Sequence, residues 1–129
     1  MNIKVGPIQI FVFDIKKAEK WYSEILGIKL IERYPKFKCI LMRLGETEFD
    51  IGTPIPEWGE GWDKVKIGGR TNIFFKTTNI KETVKELEQK GVRFIEKVSM
   101  RPWGEYKAVF IDPDKNEFNL IKSKNIKKI

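Results

Sequence analysis

The stretch GIKLIE at residues 27–32 returns as GVRFIE at residues 91–96. Glycine, isoleucine and glutamate recur at matched places, and the remaining positions exchange Ile for Val, Lys for Arg and Leu for Phe. A spacing of 64 residues exceeds a solenoid or propeller unit, so the echo reads as two copies of one folding module. The flanking sequence keeps the same order in both copies. IQIFVF is rich in β-formers and leads into Asp14, after which Ile15, Ala18, Tyr22, Ile25 and Leu26 share one helical face. Asp14 is the expected N-cap and Gly27 the stop. Three strand candidates follow, IKLIERY, FKCILMRL and TEFDIGT, broken at Tyr34-Pro35 and turned at Gly45-Glu46.

In the second copy TNIFFKTT reads as a strand, and Asn79 caps a helix with Glu82 three residues on. Ile80, Thr83, Val84 and Leu87 form its inner face and Gly91 its stop, predicting a helix one residue shorter than the first. VRFIEKV, EYKAVFI and NEFNLIK complete the set, the last two joined by a turn over Asp112–Asn116. A further echo, EFDI at 48–51 against EFNL at 117–120, fixes the module ends. Each half is therefore strand–helix–strand–strand–strand, and the fold class is α+β, two βαβββ modules in tandem. A half of this size buries too little apolar surface to stand alone. The expectation is one domain over residues 1–129, its curved mixed sheet wrapped around a cleft with the helices outside. Module 1 spans about 5–53, a loop 54–68, module 2 about 69–122 and a basic tail 123–129.

Composition narrows the function classes. No apolar run approaches the ~18 residues of a membrane span, and the N-terminus lacks a signal pattern. A lone cysteine, Cys39, has no internal partner; within FKCILM it reads as a small core residue, and it points to a reducing, cytoplasmic setting. The formal charge is +7, but four lysines of KSKNIKKI supply much of it, leaving +3 for residues 1–121. Elsewhere lysines alternate with glutamates, as on solvated helix faces, so neither a nucleic acid nor a membrane is an expected partner.

FVFDIKKAEKWYSEILGIKL, KELEQKGVRF and RPWGEYKAVFIDPDKNEFNLI resemble, in that order, the vicinal oxygen chelate superfamily, which includes glyoxalase I, bleomycin resistance proteins and extradiol dioxygenases. The resemblance runs from about residue 5 to 122, with Lys115 where the family's hairpin usually has glycine. It implies metal ligands on the first and last strand of each module. Here those positions hold Pro7, Asp50, Asn72 and Asn119. Proline offers no donor, amides are poor ligands for a divalent transition metal, and the chain contains no histidine. A slip of two residues would bring in Glu48 and Glu117, an oxygen-only set suited to a hard ion. The expectation is a protein with no metal and no cofactor.

What remains is aromatic. Trp58 and Trp62 stand among glycines in the inter-module loop, and Trp103 sits beside Arg101, Glu105 and Tyr106. The family's metal-free members bind flat, conjugated drugs on such side chains, and tryptophan loses little rotamer entropy in doing so. Phe11, Phe13 and Phe74 are expected pocket walls, Arg43 and Arg101 candidates for an oxyanion, and Asp50, Asn72 and Asn119 polar contacts. The resemblance implies capture of an aromatic or antibiotic-like compound, and a homodimer. Bleomycin itself is disfavoured, because that drug is cationic and its binders are acidic. The alternative is a lyase or isomerase of the glyoxalase type with Asp50 or Glu105 as base, with or without a non-standard metal site.

Overall fold

The computed structural model describes residues 1–123, so all of the basic tail after Ser123 lies outside the described residues. The chain divides into two compact units, the second starting at Gly69. In the first unit the elements are β1 (Ile8–Phe11), α1 (Ile15–Leu26), β2 (Lys29–Tyr34), β3 (Cys39–Leu44) and β4 (Thr47–Gly52). In the second they are β5 (Gly69–Thr77), α2 (Ile80–Gln89), β6 (Arg93–Met100), β7 (Tyr106–Ile111) and β8 (Asn116–Lys122). The sheets are ordered β1-β4-β3-β2 and β5-β8-β7-β6, with the first pair of each parallel and the others antiparallel. The tandem α+β repeat expected from the echo is thus what the chain forms.

Both helices start where the caps predict. The Asp14 carboxylate accepts the Lys17 backbone N–H, and the Asn79 amide oxygen accepts that of Glu82. Gly27 closes α1 at φ 72°, the left-handed conformation that costs a residue with a Cβ. The second helix is two residues shorter than the first, 10 against 12, because Lys90 already leaves the helix before Gly91. Phe37 does not begin β3: Pro35–Phe37 form a short 3-10 turn, which suits proline's fixed φ.

Period-two alternation sorts each sheet into two faces. In the first unit Ile10, Ile40, Met42, Phe49 and Ile51 are buried on the helix side with Ala18, Tyr22 and Ile28. Gln9, Cys39 and Asp50 alternate with them onto the other face. Cys39 is accordingly half-buried on that second face rather than a core residue. In the second unit Phe75, Phe94, Phe110 and Phe118 cluster with ring centroids 5.5–6.0 Å apart, beneath Ile80, Val84 and Leu87.

The β7–β8 hairpin turns on a buried carboxylate. Asp112, 3% exposed, accepts the backbone N–H of Asp114 (2.8 Å) and Asn116 (2.9 Å) and the Asn116 side-chain amide (2.8 Å). Lys115 takes the left-handed position at φ 65°, a cost of roughly 1–2 kcal/mol that this network offsets.

Gly52 is fixed by crowding. A Cβ there would meet the Cys39 Cβ and the Lys38 carbonyl oxygen, each at 2.9 Å. The carbonyl cannot withdraw, because it accepts the Thr53 N–H at 3.0 Å. Gly52→Ala is expected to cost about 1–3 kcal/mol, read as a lowered denaturation midpoint.

Candidate functional site

Each sheet's second face carries a hollow. That of the first unit holds about 200 Å³ and is lined by Gln9, Phe11, Cys39 and Asp50 from the strands, with Phe37, Trp58 and Trp62 from the loops. Local contacts shape the loop. Ile55, 4% exposed, anchors it, and two 3-10 turns, Pro56–Trp58 and Trp62–Lys64, follow. Gly59 and Gly61 between them hold φ 64° and 96°, which lets the chain double back so both tryptophans line the hollow. Trp58 and Trp62 then meet edge to face, centroids 5.0 Å apart at 86°. Phe11 meets Trp62 at 6.2 Å and 88°, and Phe37 meets Trp58 at 6.4 Å and 65°. Edge-to-face contact favours such aromatic chains beyond simple area burial.

Asp50 is the carboxylate of this hollow. Burial pushes its pKa above the ordinary value, and the Cys39 thiol, donating to it, opposes that rise. Burial and the adjacent Asp50 charge push the Cys39 thiol up in turn, so at neutral pH it is a protonated donor, not a nucleophile. The folded state binds the Asp50 proton more tightly than the unfolded chain, so the ionised group costs stability above its folded pKa. That cost vanishes below its unfolded value of 3.8. Asp50→Asn is therefore expected to melt higher than the unsubstituted protein at neutral pH, with the gap closing by about pH 3.5 in a thermal-melt series.

The second unit's hollow, about 190 Å³, is more polar. Asn72, Phe74 and Asn119 line it, with Arg70, Glu96, Lys107, Val109 and Glu117. Asn72 has a backbone reason for its identity. At φ 61° it forms the bulge in β5, where Thr71 Oγ1 donates to the Glu117 carbonyl and accepts the Ile73 N–H. The Asn119 amide donates to the Ile73 carbonyl at 3.4 Å.

The structure thus brings together Phe11, Asp50, Trp58 and Trp62 in one hollow and Asn72, Phe74 and Asn119 in another. The other expected residues are elsewhere. Phe13 lies beyond the end of β1, 71% exposed. Arg43 pairs with Glu48 at 3.0 Å. Arg101 pairs with Glu96 at 2.8 Å, beside the second hollow but not in its lining. Trp103, 65% exposed, donates its indole N–H to Glu105 at 3.3 Å. Tyr106 faces the helix side, under Lys81 of α2 at 5.4 Å. Gln9 and Phe37 were not singled out by sequence. Gln9 was legible from its face-sharing with Phe11, whereas Phe37 was hidden by reading it as strand.

The positions that the resemblance assigns to metal ligands do not fit a divalent transition metal. Pro7 precedes β1, Asn72 and Asn119 are amides, and Asp50 has Gln9 and a protonated thiol for neighbours. Among the described residues no three His, Cys, Asp or Glu side chains group as a metal site.

Comparison with known proteins places this geometry. The family model of the Glyoxalase/Bleomycin resistance protein/Dioxygenase superfamily matches residues 4–120. The chain belongs to that superfamily. A structure of a member from Sphaerobacter thermophilus DSM 20745 superposes with TM-score 0.81 at 31% identity, covering 95% of this chain and 98% of that one. The uncharacterized protein YraH of Bacillus subtilis is 27% identical over 93% of this chain and 98% of its own length. Human mitochondrial methylmalonyl-CoA epimerase is 27% identical over 85% of this chain, which spans 66% of that protein. Among the described residues no helix of this superfamily member is long and apolar enough to cross a membrane.

Proposed function

We propose that the protein captures a small, flat organic compound, antibiotic-like in its conjugated rings, in the hollow of the first unit and without a metal. The observation that carries this reading is the run of ring contacts from Phe11 through Trp62 to Trp58, set around a hollow of about 200 Å³. A dry engineered cavity of about 150 Å³ holds benzene, so this room suits one or two fused rings. A larger drug would have to leave most of its bulk outside. Aromatic walls contribute contact area at little entropic cost, and the unsuitable donor set at the family's ligand positions removes the need for a substrate that chelates. That pairing supports sequestration over metal-dependent turnover. Homodimer formation, implied by the resemblance, belongs to the same proposal.

The test is a thermal-shift screen of flat, conjugated compounds followed by titration against tryptophan fluorescence. Stabilisation with quenching by one compound class is expected; a broad library that does neither contradicts the reading.

A second reading, isomerisation with Asp50 as base, draws on the likeness to the epimerase and on a carboxyl held above its ordinary range. Glu105 is less suited, since its carboxylate is occupied by the Trp103 indole. Stoichiometric zinc, manganese, nickel or iron in the purified protein would favour this second reading.

A further inference from the structure

The first unit's hollow carries a charge pattern that flat hydrophobic contact alone does not require. Trp62 stands nearly perpendicular to both Phe11 and Trp58, at 88° and 86°. Successive perpendicular rings make walls of a box rather than a single flat stack, and each exposed ring face presents the negative side of its quadrupole. The acidic wall is Asp50. Its partner is the Cys39 thiol, a weak donor, and none of the ion pairs among the described residues includes it. Lys38 also lines the hollow, but it is exposed, and its backbone carbonyl, not its ammonium, is tied in, to Thr53. Ring faces and carboxylate together favour positive charge in whatever enters.

We infer that this hollow selects a flat ring compound bearing a positive charge, of the N-alkylated heteroaromatic class, with its ring against Trp62 and its charge toward Asp50. This rests on the capture reading and adds the ligand's charge to it. Cation–π attraction strengthens as the site is desolvated, and tryptophan is its best partner. The chain as a whole opposes cations, with a formal charge of +7. Selection must therefore be local, and added salt, which screens the distant repulsion more than the short-range attraction, leaves the affinity unchanged or raises it.

The experiment compares N-methylquinolinium with 4-methylquinoline by calorimetry, at mildly alkaline pH where the second is uncharged. The cation is expected to bind about tenfold tighter or more, the carboxylate supplying the larger share and the ring faces the rest. In Asp50→Asn, whose melting temperature certifies its fold, the ratio should fall to within about threefold, since a neutral amide no longer pairs with the charge. Equal affinities, tighter binding of the neutral compound, or an unchanged ratio in Asp50→Asn would overturn the inference while leaving capture of flat compounds standing. Binding of neither probe overturns it too, and capture itself falls only if the wider library also yields nothing. Affinity for the cation that drops steeply with salt would mark surface attraction and contradict a local site.

Discussion

Phe110→Ala is expected to lower the unfolding free energy by about 3–5 kcal/mol. Phe110 is 1% exposed and touches three other phenylalanines, with centroids 6.0 Å away at Phe75, 5.7 Å at Phe94 and 5.5 Å at Phe118. Removing its ring loses the transfer energy of the phenyl group and leaves a void that strands on either side cannot close. Those strands are held in register, Phe110 opposite Phe94 on β6 and Phe118 on β8. Collapse into the void would have to break both ladders. Domains of this size have about 5–15 kcal/mol in total, so the variant should unfold at a far lower denaturant midpoint. Phe110→Leu, which keeps much of the volume, should lose under half as much. A loss below about 1 kcal/mol for the alanine variant would mean the cluster is not the core described.

Trp62→Ala is expected to weaken capture of any flat compound by about 10–100-fold. Trp62 is the middle ring of the chain, in edge contact with both Phe11 and Trp58, so its loss removes a wall and leaves the other two without their shared partner. The substitution should cost little stability, because the indole is only half-buried and the turn it belongs to is held by its backbone, Lys64 N–H to the Gly61 carbonyl and Trp62 N–H to that of Gly59. Trp103→Ala separates the two tryptophan loops. If it costs more affinity than Trp62→Ala, the ligand sits by the second unit's loop instead.

The fold was largely legible because its signals are local. Asp14 and Asn79 announce the helices through side chains that satisfy backbone donors three residues on, and Asp112 and Asn116 announce the last hairpin. The ligand positions came from the resemblance alone, and the proline and two asparagines that stand there offer no side chain suited to a divalent transition metal. The hollows were only half legible. Alternation along β1 and β4 put Phe11 and Asp50 on one face, but alternation stops where the strand stops, which is why Phe13 falls outside. Arg43, Arg101 and Trp103 found partners within five residues, Glu48, Glu96 and Glu105, and such short-range pairing competes with any ligand role. Tyr106 went to the helix face by strand parity, a matter of one residue's register that turn chemistry alone does not fix.

Soaking crystals with N-methylquinolinium and locating its density tests the account most directly. The account requires the ring to lie against the indole of residue 62, its charged nitrogen turned to the carboxylate of residue 50, and no metal beside it. Density anywhere else, or an ion coordinated by that carboxylate, would contradict it.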